Sequence, residues 1–296
     1  MDWLQNFREI VQTNVPLGMY TWFQLGGAAE FFAEPRSVEE LAALVRACHE
    51  AAMPVKVLGN GSNVLVRSGI VSGLVLRFAD RVPCLLEVDA EQRRLRVGGN
   101  VPLSRLITTA VGAGLGGLED LIGIPGTVGG ALHGNAGTDT ADVGEFLRAA
   151  KVLTMDGSMA TREGAELVFG YRQSSLEDCL VLEAEFELHE ESPIDLAARM
   201  QKQWIVRKSL QPMGHQCAGR IFKNPTDGGM NASEIIHSCG LRKLHCGGAA
   251  ISERHANFII AEPTCTADDI MNLIDQIRDG VFQKTGTELD LEIEIW

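Results

Sequence analysis

Apolar and polar positions follow one another along this chain in short blocks, some with helical spacing and some with the alternation of strands. Ser37-Val38-Glu39-Glu40 sets a Ser three residues ahead of a Glu, the spacing of a capping box, and opens an apolar helical run to about Met53, where Pro54 stops it. Val55-Lys56-Val57-Leu58 is a strand, Gly59-Asn60-Gly61-Ser62-Asn63 a loop, and Val64-Leu65-Val66 and Leu74-Val75-Leu76-Arg77-Phe78 further strands. Leu85 to Val88 and Leu95 to Val97 form a hairpin. Pro102 starts a helix with Leu103, Leu106, Ile107 and Ala110 on one face, ending near Gly112 or Gly114. The segment 116–137 is too rich in glycine for a long element. Strands return over 152–188, most clearly at Leu180 to Phe186. Ser192-Pro193 starts a helix to about Ser209. Gln211-Pro212-Met213-Gly214-His215 interrupts the pattern, and a new unit begins near 210. Its last helix opens on the cap Thr266-Ala267-Asp268-Asp269, carries Ile270, Leu273, Ile274, Ile277 and Val281 on one face, and closes at Gly286. Leu289 to Ile295 reads as a terminal strand whose three acids share one face. This mixture implies α+β or α/β.

Composition narrows the field. The 296 residues suffice for two domains with a sizeable core. A formal net charge of −13 argues against a grip on nucleic acid or an anionic membrane through bulk charge, so an anionic ligand needs a local site. Nothing in the sequence reads as a membrane span or a secretory signal. Seven scattered cysteines without Cys-x-x-Cys spacing, at 48, 84, 179, 217, 239, 246 and 265, suit a reduced, cytoplasmic protein. Cys48 and Cys265 read as small core residues. The oddity is 32 glycines against 2 tyrosines, which means many tight turns or close backbone approaches.

The glycines gather in two informative clusters. Gly59-Asn60-Gly61-Ser62-Asn63 follows a strand. It could let backbone N–H groups and the Ser and Asn side chains meet a phosphate, or it could be an ordinary hairpin loop. It is neither a Walker loop nor a dinucleotide fingerprint, and the formal match Gly112-Ala113-Gly114-Leu115-Gly116-Gly117 follows a helix instead of a strand. Gly123-Ile124-Pro125-Gly126-Thr127-Val128-Gly129-Gly130, continuing to Asn135-Ala136-Gly137, suits backbone packed on a flat ligand or on another chain segment. Two such loops in an acidic chain favour a diphosphate-bearing cofactor. Arg172 in Phe169-Gly170-Tyr171-Arg172-Gln173-Ser174 could ion-pair on the surface or take a substrate carboxylate in its fork. His237, Cys239, His245 and Cys246 include zinc-ligand types, but their spacing matches no structural site, and a loop with buried thiols is the simpler reading. His255, in Ser252-Glu253-Arg254-His255-Ala256-Asn257-Phe258, reads as a His hydrogen-bonded to a turn.

Taken in order, the loop at 59–66, the 123–137 segment, Phe169 to Ser174, Phe222-Lys223-Asn224-Pro225, Ser252 to Phe258 and the acidic C-terminus resemble the UDP-N-acetylenolpyruvoylglucosamine reductase family. The resemblance runs from about Asn14 to Trp296, and Tyr171-Arg172-x-Ser174 is similar to the shorter of the family's two types. It implies an α+β fold. A two-lobed FAD-binding domain of the vanillyl-alcohol-oxidase (PCMH) type would span 1–209, with lobes of about 1–80 and 81–209. A smaller α+β substrate domain would span 210–296. It implies noncovalent FAD held by Gly59, Asn60, Gly61, Ser62, Asn63, Gly123, Gly126, Thr127, Gly129 and Gly130. NADPH would reduce the flavin, and UDP-N-acetylglucosamine enolpyruvate would be reduced to UDP-N-acetylmuramate by a monomeric cytoplasmic enzyme. Arg172 and Glu292 match the family's catalytic residues; Tyr171, Lys223 and Asn224 match positions near the substrate.

Three positions depart from the family pattern. Arg220 stands where the proton donor is usually a Ser, occasionally a Cys, and a guanidinium is a poor proton donor. Gln24 replaces an Arg before Leu25-Gly26-Gly27, and Ala232-Ser233 replaces Ala-Gly. Three accounts of Arg220 stay open. Another group, such as water or Cys217, gives the proton; Arg220 favours enolate binding over protonation; or the chain is an impaired relative that binds ligand. A different FAD oxidase or dehydrogenase on the same fold is a further alternative.

Overall fold

The computed structural model describes residues 3–78, 85–212, 214, 216–226 and 229–296. Cys84, the lobe boundary at 80/81, and Met213 and His215 of the pattern break lie outside the described residues. The chain gathers into two compact units. One holds residues 1–13, 30–60 and 72–206, the other 14–29, 61–71 and 207–296.

Two sheets carry most of the first unit, and three strands of the first sheet run across the unit boundaries in sequence. A four-stranded sheet runs in the order Val11–Pro16, Ala28–Ala33, Ile70–Arg77, Val55–Leu58, the last two parallel with Val55 opposite Leu74. The helix Val38–Glu50 lays Leu41, Leu44, Val45 and Cys48 on it, against Phe31, Ala33, Leu74 and Leu76. Ser37 caps that helix by accepting the Glu40 N–H at 3.2 Å, as the Ser-to-Glu spacing predicts. The helix stops at Glu50, short of Met53. The Met53 N–H bonds back to Cys48 and the Ala52 N–H to His49, a Schellman pattern that sets Ala52 at φ +50°.

The second sheet is antiparallel, in the order Met159–Glu163, Leu147–Thr154, Cys179–Glu187, Arg94–Gly98, Leu86–Asp89. It contains the hairpin and the 180–186 strand expected from the alternation. A register shift between Val181 and Glu183 exchanges the faces of that strand. Before the shift, Leu180 and Leu182 join the core under the Val38–Glu50 helix; after it, Ala184 and Phe186 face the other core. That second core packs Leu103, Leu106, Ile107 and Ala110 of the helix Leu103–Gly112 and Val128 and Leu132 of Val128–His133 on the sheet. Glu183, Glu185 and Glu187 are left on the outer face, where they pair with Arg96, Lys151 and Arg148 at 3.0–3.4 Å. Half-exposed pairs of this kind add little stability.

The second unit centres on the helix Ala267–Thr285. Its face Ile270, Leu273, Ile274, Ile277 and Val281 packs on the strands Ala249–Ile251 and Ile259–Ala261 and on the helix Ala232–Ser238, as its spacing predicts. Thr266 and Asp269 complete the capping box, and Gly286 ends the helix at φ +73°. The C-terminus departs from the expected strand. Only Glu294–Ile295 is regular, parallel to Val64–Leu65, while Leu291 makes a single bridge to Phe222. The tail changes partner between them: the Glu292 N–H bonds to Ile221 O and the Glu294 N–H to Asn63 O, each at 2.8 Å. The chain bends at 292–293, so the three acids do not lie along one continuous strand.

The left-handed Ala52 gives a test. Ala52 is exposed, so its Cβ makes strain without contributing packing. Ala52→Gly is expected to raise unfolding free energy by roughly 0.5–1 kcal/mol, read as a higher denaturant midpoint at unchanged slope. An unchanged or lower midpoint would show that the turn carries no strain.

Candidate functional site

In the first unit the two glycine clusters meet. Gly59 follows the strand Val55–Leu58, and a Cβ placed on it would lie 3.1 Å from the Thr127 hydroxyl. Exposed Asn60 comes next. Thr127 accepts the Gly130 N–H at 3.3 Å and so caps the helix Val128–His133. The Val128 and Gly129 N–H groups donate to Val101 and Gly99 at 2.9 and 2.8 Å, which fixes the cluster against the turn after the strand Arg94–Gly98. Gly123 and Gly126 sit at φ +85° and +115°, where side chains are disfavoured. The result is a stretch of bare, partly exposed backbone. Diphosphate and flat ring systems approach such a surface closely, so the residues present fit FAD.

Tyr171 and Arg172 form the turn between Phe169–Gly170 and Gln173–Ser174. Arg172 sits at φ +55° with a side chain only 8% exposed. Its Nη1 donates to Asn135 O at 3.2 Å and its Nη2 to Gly137 O at 2.8 Å. Asp142 lies 3.7 Å away, and the guanidinium stands 5.0 Å from the Tyr171 ring centroid. Arg172 is therefore no surface ion-pair residue: the tail of the second glycine cluster holds it in place. Asn135 makes this possible. It is 1% exposed at φ +42°, donates from Nδ2 to Gly170 O at 2.8 Å and accepts the Gly144 N–H on Oδ1 at 3.1 Å.

The rest of the first loop belongs to the second unit. Gly61 takes φ +63°, and a Cβ there would lie 2.1 Å from Tyr20 O. Ser62 O accepts the Gly219 N–H at 3.0 Å, and Asn63 Nδ2 donates to Glu292 O at 2.9 Å. Lys223 pairs its N–H with Asp290 O at 2.8 Å. Asn224 Oδ1 accepts the Ala232 N–H at 3.1 Å, so its carboxamide is fixed to the start of the helix Ala232–Ser238. In the second unit Asn63 and Lys223 thus bond to the tail that carries Glu292, and Ser62 bonds to Gly219, next to Arg220.

Two groups near Arg220 have shifted acidity. Burial, then the Arg220 and Arg242 charges, push His255 down to about 4, and its Nδ1 accepts the Asn257 N–H at 3.3 Å, the turn bond expected of it. Burial pushes the Cys217 thiol up to about 11, so it keeps its proton at ordinary pH. Cys48 and Cys265 are core residues. Among the described residues, no three of His, Cys, Asp or Glu converge as metal ligands, so His237, Cys239, His245 and Cys246 do not form such a cluster. In Gln24, at φ +56°, the side-chain oxygen accepts from Gln216 at 2.8 Å. Sequence reading passed over the structural parts of Asn135 and Asn257. The available signal was a lone Asn beside glycine or inside an apolar run, where an unpaired amide is costly.

The signature of the FAD binding domain matches residues 29–162, and that of the C-terminal domain of UDP-N-acetylenolpyruvoylglucosamine reductase matches residues 211–296. The chain is 39% identical over 287 residues to UDP-N-acetylenolpyruvoylglucosamine reductase of Moorella thermoacetica, covering 97% of this chain and 93% of that protein. It is 37% identical over 301 residues to UDP-N-acetylenolpyruvoylglucosamine reductase 1 of Bacillus anthracis, covering 98% of each. The crystal structure of the Thermus caldophilus reductase matches with a TM-score of 0.80 at 36% identity, over 97% of this chain and 98% of that one. Wild-type Phl p 4.0202, a glucose dehydrogenase, matches with a TM-score of 0.52 at 12% identity, over 97% of this chain and 64% of that one, a likeness of fold alone. Fold and glycine-lined backbone together define an FAD-binding α+β protein. Within that class, the chain belongs to the UDP-N-acetylenolpyruvoylglucosamine reductase family.

The depressed His255 has a stability consequence. Below its ordinary 6.5 the unfolded chain takes up a proton that the folded chain refuses until about 4. Its contribution is therefore complete above pH 6.5 and lost as pH falls toward 4. His255→Gln is expected to flatten the fall in denaturation midpoint across that window relative to the parent chain. Parallel midpoint-against-pH curves would show that His255 titrates normally.

Proposed function

We propose that this chain reduces UDP-N-acetylglucosamine enolpyruvate to UDP-N-acetylmuramate at the expense of NADPH, supplying a peptidoglycan precursor. Family membership supports the reaction, and the observation that carries the site is the buried Arg172 guanidinium gripped by two backbone carbonyls. FAD, when bound, supplies the hydride. Backbone at Gly59, Asn60, Gly123, Gly126, Thr127, Gly129 and Gly130, with Gly61, Ser62 and Asn63 of the same loop as Gly59, would hold it.

The chain's own task is charge control. Reduction of the enolpyruvyl double bond builds negative charge on the carbon beside the carboxylate. A cation already fixed in place stabilises that state more than the starting one, and it needs no reorganisation. Arg172 suits this role because its carbonyl contacts set its orientation before any ligand arrives. Tyr171 shapes the cation's surroundings. In the second unit, Lys223 and Asn224 would bind the UDP-sugar, and Glu292 serves the reaction from the tail. Arg220 gives a fixed positive charge where a proton donor is usual in the family. Burial keeps the Cys217 thiol protonated at ordinary pH, so it remains, with water, a proton source among the accounts raised above.

We assign 1–209 to FAD binding, with lobes of about 1–80 and 81–209, and 210–296 to the substrate, in a monomeric cytoplasmic enzyme. Among the described residues no helix is long and apolar enough to cross a membrane. The alternative of another FAD oxidase or dehydrogenase loses support because residues 211–296 match the reductase's own C-terminal domain.

The purified protein is expected to be yellow, to bleach with NADPH, and to regain colour without oxygen when the enolpyruvyl UDP-sugar is added. A colourless protein that takes up no FAD would refute the flavin reading; bleaching without recovery would mark an impaired relative. Arg172→Ala is expected to keep FAD and block colour recovery, whereas unchanged turnover would remove Arg172 from the carboxylate. Arg220→Ser is expected to speed recovery, because it restores the residue usual at the family's proton-donor position. Slower recovery would give Arg220 a positive role of its own.

A further inference from the structure

The segment bearing Arg220, Lys223 and Asn224 is irregular backbone, and its path depends on what pairs with it. On one side it meets the tail: Ile221 O accepts the Glu292 N–H and the Lys223 N–H donates to Asp290 O, each at 2.8 Å. On the other it meets a single side chain. Asn257 Oδ1 accepts the Phe222 N–H at 2.9 Å, and Asn257 Nδ2 donates to Phe222 O at 2.8 Å. The Asn257 carbonyl also accepts the Ile221 N–H at 3.0 Å. Asn257 is 1% exposed, and Phe222 is fully buried.

A carboxamide has one donor end and one acceptor end at about the spacing of a peptide unit, so Asn257 stands in for a missing strand partner. The bond pair also fixes which end of the amide points where. The turn that carries it is itself tied down: Ser252 N–H donates to Phe258 O at 2.9 Å, and the Asn257 N–H donates to His255 Nδ1.

We propose that Asn257 is a positioning residue for the reaction: its carboxamide locks the Phe222 backbone and so aims the Arg220 and Lys223 side chains that flank it at the UDP-sugar. This rests on the proposed function for what those side chains bind, while the lock itself is independent of it.

The test uses the full-length, FAD-loaded chain and two readouts. In Asn257→Ala, the Phe222 amide is expected to exchange its hydrogen at least about tenfold faster, in line with a lost buried hydrogen bond. Amides in Ala249–Ile251, Ile259–Ala261 and Ala267–Thr285 should keep their protection. Bleaching by NADPH should persist, while recovery of colour with the enolpyruvyl UDP-sugar slows by about tenfold or more. Asn257→Asp keeps the size but loses the donor; it should show the same split of half-reactions, and it replaces Asn257→Ala if that variant does not fold. Recovery at the parent rate in the folded variant would overturn the proposal. So would protection lost throughout the strands and helix with both half-reactions falling together, which is a general structural role. If the parent chain neither bleaches nor recovers, the proposed function fails, and exchange at Phe222 decides the lock alone: local loss upholds it, unchanged exchange refutes it.

Discussion

Buried backbone that forms neither helix nor sheet must still find hydrogen-bond partners. In this protein the glycine-rich and irregular segments are the ones that matter, and two asparagine carboxamides bond them. Asn135 joins Gly170 O to the Gly144 N–H, and Asn257 closes both polar groups of Phe222. Each is 1% exposed, so an unmet amide would be costly and the arrangement has few alternatives. Regular structure could not do this work, because a helix or strand spends its N–H and C=O groups on its own ladder. The irregular segments keep theirs for specific partners, and so can hold Arg172 and Phe222 in defined places.

Electrostatics follows from the same arrangement. A chain with a formal net charge of −13 attracts no anion at long range. Its affinity for anionic ligands must come from a few oriented groups. Arg172 is nearly buried, yet two carbonyl dipoles, the Asp142 carboxylate and the Tyr171 ring surround it. That environment fixes the cation in direction, which is the condition for stabilising a developing carboxylate charge. The glycine clusters act in the same short-range way.

Much of the fold was legible because periodicity and caps are local. Ser37, Thr266 and Gly286 end their helices where their chemistry says they should, and the Ala267–Thr285 face packs as its spacing requires. Features set by pairing were not legible. The strand Cys179–Glu187 reads as simple alternation, but a bulge after Val181 moves Ala184 and Phe186 to the face opposite that of Leu180 and Leu182. The C-terminal acids alternate in sequence, but their strand breaks where the tail trades Ile221 for Asn63 as its partner. The loop at 59–63 reads as one motif and contributes to both compact units.

The sequence by itself determined the four longer helices, the strands between Val55 and Val97 and the one at Leu180 to Phe186, the acidic character that excludes bulk anion binding, and the ordered motifs that identify the family. All of these depend on residue type and on spacing of a few positions, so they can be read without knowing what lies across the fold. Only the tertiary structure decided that Arg172 is gripped by Asn135 and Gly137, that Gly59 lies against Thr127, and that Asn257 takes the place of a strand beside Phe222. These contacts join residues distant along the chain through backbone groups that every residue carries, and a hydrogen bond to a carbonyl leaves no mark on the identity of the residue that supplies it.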